Sequence, residues 1–136
     1  MAKCAAILLL PLTLAGCLGN DEDHTSFMEQ DTGGPQPFPQ NYRSEAVAFM
    51  RTYLNNPVGV RDAAIAEPVQ RTVGGRSRYV SCLRFAPPES DGSYHGTRER
   101  AVLYVNGRLD RVVEKAGELC AGAVYAPFPE LEKMTR

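Results

Sequence analysis

The sequence predicts an α+β domain, an N-terminal helix packed on an antiparallel sheet of about four strands and held by one disulfide. Three observations predict it. Residues 42–55 space their apolar side chains at helical intervals, the chain after them changes to a period of two, and Asn106-Gly107 stands between two apolar runs.

The helix is the first element. Asn41 is placed to cap it, Ala46, Val47, Met50, Tyr53 and Leu54 fall on one broad face that Phe49 widens, and Asn56-Pro57 stops it. Four strands are expected after it, over residues 60–67, 76–86, 97–105 and 108–114, each rich in β-branched or aromatic residues. Residues 69–73 continue the first of these past Pro68, and Gly74-Gly75 turns the chain into the second. Asn106-Gly107 is the strongest local signal. Both central residues of a type I′ turn need positive φ, which Asn and Gly tolerate. The tail from Tyr125 to Leu131, with Pro127 and Pro129, is expected to run extended along the surface over an open sheet edge. The order of elements resembles that of cystatin-like folds, without a shared motif.

Composition divides the 136 residues into three regions. Residues 1–16 are apolar, with Lys3 as their one charge; residues 18–40 carry Asp21, Glu22, Asp23, Glu29 and Asp31 and no Lys or Arg. Residues 41–136 hold 14 basic against 11 acidic residues and are the expected globular domain. So mild a basic excess excludes a strongly basic nucleic-acid binder. The leading apolar stretch from Ala5 to Leu14 is shorter than the roughly 20 residues a membrane-spanning helix needs. It has the form of an export signal. Its end, Leu14-Ala15-Gly16-Cys17, resembles the lipobox of bacterial lipoproteins at all four positions.

That resemblance implies cleavage between Gly16 and Cys17 and lipidation of Cys17, so that membrane lipid is a partner through the acyl chains. Several acyl chains hold a protein more firmly than one, because each buried methylene contributes about 0.8 kcal/mol. Leu18, where an Asp would signal inner-membrane retention, implies an outer-membrane destination facing the periplasm. Residues 17–40 then form the lipidated Cys and an acidic, Pro/Gly-rich tether, with Phe27 and Met28 as the only bulky apolar residues between Leu18 and Phe38. The body resembles small uncharacterised alphaproteobacterial lipoproteins, a resemblance that implies no activity.

Once Cys4 and Cys17 are set aside, Cys82 and Cys120 remain. An isolated pair in an oxidising compartment is expected to form a disulfide, as it lacks both the Cys-x-x-Cys spacing of a redox pair and enough partners for zinc.

No catalytic motif, cofactor or metal site is expected. His95, in the loop Asp91-Gly92-Ser93-Tyr94-His95, is the centre of an alternative in which the domain is a small envelope hydrolase or an enzyme inhibitor. Glu89, Asp91 and Ser93 lack the closing Glu of a calcium loop. The feature above background is arginine, with 12 in the body against two lysines. Side chains two apart on a strand share a face, so Arg76, Arg78 and Arg84 are expected to line up beside Arg98 and Arg100. Guanidinium groups grip carboxylates and phosphates in bidentate fashion. The expected role is therefore a non-enzymatic, lipid-anchored domain that binds an envelope protein, lipopolysaccharide or peptidoglycan through this face.

Overall fold

A computed structural model describes residues 34–136. Cys17 and the leader and acidic segment around it lie outside the described residues. Helix α1 covers Tyr42–Tyr53, and six strands follow: β1 Arg61–Ala66, β2 Val69–Val73, β3 Arg76–Ala86, β4 Arg98–Val105, β5 Arg108–Val113 and β6 Tyr125–Pro127. A 3₁₀ turn at Gly117–Cys120 precedes β6, and a one-turn helix, α2, covers Pro129–Glu132. The fold is thus α+β, as expected, but the sheet has six strands rather than about four. Helix α1 starts at residue 42, well inside the chain.

The two extra strands have physical causes. Pro68 has no N–H to give to a ladder, so the first predicted strand breaks there into β1 and β2. Both halves pair antiparallel with the long β3, Ile65 opposite Leu83 and Val69 opposite Val80. Asp62, at φ 53°, bulges β1 between Arg61 and Ala64, where the register shifts. The second addition is β6, which pairs with the outer edge of β1, Ile65 opposite Ala126. The tail does cover a sheet edge, and it does so as a strand. The main path of the sheet runs β5-β4-β3-β1-β6, with β2 beside the first half of β3.

The Asn106-Gly107 turn forms as expected, with φ of 52° and 77°, and Gly74-Gly75 makes a second turn of the same kind with φ of 58° and 78°. Helix α1 ends two residues earlier than predicted, because Leu54 is already extended. Asn41 occupies the N-cap position but makes no side-chain capping bond there. Instead its carbonyl accepts from Glu45 N at 2.9 Å and from Ser44 Oγ at 3.0 Å.

Both sheet faces are covered. Helices α1 and α2 close one face over Met50, Ile65, Leu83, Phe85, Tyr104, Phe128 and Leu131, all at most 1% exposed. Inside this core the Ser81 and Tyr104 hydroxyls bond each other at 2.9 Å, so neither is left unsatisfied. The other face packs Val80, Cys82, Ala101 and Leu103 beneath the segment that carries Ala116 and Cys120. The expected disulfide joins Cys82 of β3 to Cys120 of that segment. Residues 36–39, which composition placed in the tether, pack on the domain. Phe38 meets the Tyr42 and Tyr79 rings edge-on, and Gln36 Oε1 accepts the Asn106 N–H at 2.7 Å.

Candidate anion-binding surface

The register decides how the arginines are grouped. Residues opposite one another in an antiparallel pair share a face. Arg84 lies opposite Glu99, whereas Arg98 and Arg100 lie opposite Phe85 and Leu83 of the helix-side core. The expected row of five is therefore divided: Arg76, Arg78 and Arg84 belong to the disulfide-side face, and Arg98 and Arg100 to the other. The alternation of β3 puts Arg76, Arg78 and Arg84 on one face, as expected. What sequence spacing did not supply was the offset between β3 and β4.

Each of the separated arginines has local partners. Arg98 Nη2 donates to Glu89 Oε1 at 3.0 Å. Arg100 Nη1 donates to the Glu99 carbonyl at 3.0 Å, and its buried Nε has no hydrogen-bond partner among the described residues. Arg84 lies over the Tyr125 ring, 4.2 Å from its centre, and the Tyr125 hydroxyl donates to Glu99 Oε2 at 2.5 Å. Burial and this bond to Glu99 hold the Tyr125 phenol well above its ordinary range.

A denser group stands at the other end of the same face. The tight Gly74-Gly75 turn sets Val73 opposite Arg76, and two residues further it sets Arg71 opposite Arg78. The β2–β3 ribbon thus presents Arg71, Arg76 and Arg78 together, and neither strand contains an acidic residue. Arg76 is exposed, while Arg78 is only 5% exposed and donates from Nη1 to the Ser77 carbonyl at 2.8 Å. Arg71 Nη2 donates to the Ala121 carbonyl at 2.8 Å, and its Nε is buried without a hydrogen-bond partner among the described residues. Arg71 is not among the arginines expected from β3 and β4 alone, yet a two-residue turn at Gly74-Gly75 implies its pairing with Arg78.

Comparison with protein-family models, with curated proteins and with solved structures finds no match.

Arg71 also borders a cleft of about 440 Å³, open at the sheet edge where β6 ends and β2 goes on alone. Its walls are mainly apolar, with Val69, Val80, Leu119, Val124 and Tyr125 among the lining residues. Val69 and Val124 are 47% and 83% exposed. Guanidinium groups beside an apolar wall suit a ligand that carries an anionic group next to an apolar one.

The His95 loop has a different geometry. Ser93 Oγ lies 2.5 Å from Asp91 Oδ1 and 3.2 Å from His95 Nε2, so all three side chains do meet. The hydroxyl donates to Asp91, whose carboxyl is held below its ordinary range first by that bond and then by the Ser93 N–H. Asp91 therefore orients Ser93 and not His95, whereas a nucleophile's base needs a carboxylate behind the imidazole. Both His95 and Asp91 are exposed. Tyr94 faces inward: its hydroxyl donates to the Gly59 carbonyl at 2.6 Å, and Arg61 lies over its ring at 4.0 Å. These contacts fasten the loop to the start of β1. Among the described residues no group of three or more His, Cys, Asp or Glu is arranged to hold a metal ion, and no helix is long and apolar enough to cross a membrane.

Proposed function

We propose that the chain is a lipid-anchored, non-enzymatic envelope protein whose domain binds an anionic envelope component through the β2–β3 arginine ribbon. The observation that carries this is the cross-strand pair Arg71 and Arg78, with Arg76 beside it. Three guanidinium groups gathered on one ribbon whose two strands carry no acidic residue suit an anionic ligand, because guanidinium binds carboxylates and phosphates in bidentate fashion. The apolar cleft beside Arg71 directs the choice among anions toward an amphiphile, such as the phosphate-bearing lipid part of lipopolysaccharide, over the carboxylates of peptidoglycan. Anchoring through acylated Cys17 behind the Leu14-Ala15-Gly16 box keeps the domain near such a ligand. The disulfide of the domain accords with an oxidising compartment such as the periplasm.

The test is co-sedimentation of the acyl-free chain with lipopolysaccharide micelles and, separately, with isolated peptidoglycan sacculi. Binding to the micelles that Arg71→Glu with Arg76→Glu weakens at least about tenfold, the scale of one lost charge-assisted contact, supports the proposal. Undiminished binding by the double variant, or retention only on sacculi, overturns it.

A further inference from the structure

The cleft beside Arg71 has an order along its length. Arg71 lies opposite Arg78 and Val69 opposite Val80, and residues opposite one another or two apart on a strand share a face. From the Gly74-Gly75 turn along the disulfide-side face, the sheet therefore presents the guanidinium pair first and Val69 with Val80 next. Ala66 and Cys82 follow, both buried and both lining the cleft. Tyr125, opposite Ala66 on β6, stands beside them, and Leu119 and Val124 complete the apolar walls.

Two observations fit this cleft to one alkyl chain. Three large apolar side chains are exposed among the described residues, and two of them, Val69 and Val124, line it. Its volume of about 440 Å³ falls within the roughly 300–1,000 Å³ of sites that take one small molecule, which suits a single chain and not the several chains of a lipopolysaccharide lipid.

The charged lining residues are Arg43, Glu67 and Arg71. Arg43 is gripped by Glu130 in a bidentate pair, and Glu67 is exposed. Arg71 by contrast donates to a neutral acceptor, the Ala121 carbonyl, and holds a buried Nε without a hydrogen-bond partner among the described residues. A carboxylate or phosphate is a stronger acceptor than that carbonyl.

We propose that the cleft takes one single-chain anionic amphiphile, an alkyl chain ending in a carboxylate or phosphate, with the anion on Arg71 and the chain along Val69, Val80 and Tyr125. This occupant belongs to the site proposed above, and the assignment rests on that site's binding anions. A lipid in a micelle or membrane meets the same cleft only by lending it one chain.

Calorimetric titration of the acyl-free chain with octyl, decyl and dodecyl phosphate, and with decanoate and decanol, tests it at concentrations too low for micelles. One ligand is expected per domain, with affinity rising about fourfold for each added methylene, as burial of that group predicts. Decyl phosphate or decanoate, whichever head the site takes, is expected to bind at least about tenfold tighter than decanol. Arg71→Gln is expected to remove that difference and leave decanol binding unchanged, which also shows that the variant is folded. Affinity that does not change with chain length, or anion and alcohol bound equally by the parent chain, overturns the proposal. Photocrosslinking with the decyl ligand that binds, carrying a diazirine at its terminal carbon, locates the tail. Adducts are expected within residues 66–69, 80–82 or 119–126, and adducts confined to other segments overturn the proposal. Lipopolysaccharide micelles held by the ribbon while no single chain binds would overturn the cleft assignment and leave the binding role proposed earlier standing. Single chains bound through Arg71 while micelles are not would overturn that role and leave the cleft assignment standing.

Discussion

At the residue scale, buried hydroxyls and paired arginines carry the most consequence. Tyr104 is 1% exposed and shares its hydroxyl with Ser81. Burial raises its phenol far above the ordinary value of 10.0. The folded chain therefore keeps this proton where the unfolded chain has released it, and the associated stability is full below about pH 10 and falls as pH rises beyond it. Tyr104→Phe is expected to cost about 1–3 kcal/mol near neutral pH, because the Ser81 hydroxyl loses its partner. Above pH 10 the variant's stability should fall less steeply than that of the parent, by up to about 1.4 kcal/mol per pH unit. Urea unfolding at a series of pH values from 8 to 11 checks both, and parallel curves would contradict the role given to Tyr104.

At the scale of elements, the two tight turns set the register on which the site depends. Gly107 has φ of 77° and a Cβ placed there would come within 3.4 Å of Pro37 Cγ, whereas a Cβ at Gly75, φ 78°, meets nothing within 4 Å. Gly75→Ala is expected to destabilise by about 1–2 kcal/mol from backbone conformation alone. Gly107→Ala should cost more, because it also disturbs the segment that carries Gln36 and Phe38. Equal midpoints in thermal unfolding of the two variants would contradict that packing.

The same turns show how far the sequence could be read. Helix α1, β3, β4, β5 and the Asn106-Gly107 turn are local: each rests on periodicity or turn chemistry within a dozen residues. The break at Pro68 was visible as well, but that the interrupted strand becomes two, and that Tyr125–Pro127 adds as a sixth, depends on what lies across from them. The candidate site was legible to the same extent. Strand alternation put Arg76, Arg78 and Arg84 on one face, but only pairing reveals that Arg84 meets Glu99 while Arg78 meets Arg71.

At the scale of the molecule, one tie joins the two helices of one covering and two hold the coverings to the sheet. Arg43 grips Glu130 in a bidentate pair, Nη2 to Oε2 at 2.8 Å and Nε to Oε1 at 3.3 Å, and lies over the Phe128 ring at 4.8 Å, which joins α1 to α2. That pair is half-exposed and worth little by itself. Glu45 accepts from Arg108 Nε at 2.7 Å and from Leu109 N at 3.2 Å, which joins α1 to β5. The disulfide closes a separation of 38 residues and holds the opposite covering to β3. In the chain-entropy account such a loop contributes about 4 kcal/mol, so reduction should lower the unfolding midpoint sharply. A midpoint unchanged by reductant, with two free thiols confirmed by mass, would contradict it. The bond also holds the segment whose Ala121 carbonyl accepts from Arg71, so reduction is expected to weaken anion binding as well as stability.

The central claim is that position on the β2–β3 ribbon, and not overall charge, makes the domain bind an amphiphilic anion. The most direct measurement compares two double charge reversals with the same net charge. Arg71→Glu with Arg76→Glu alters the ribbon; Arg51→Glu with Arg98→Glu alters exposed positions on α1 and at the start of β4. Titrated with lipopolysaccharide micelles at one salt concentration, the ribbon variant is predicted to lose at least about tenfold in affinity, and the other variant less than about threefold, as expected of screened charges away from the contact. Equal losses in the two variants would contradict the claim.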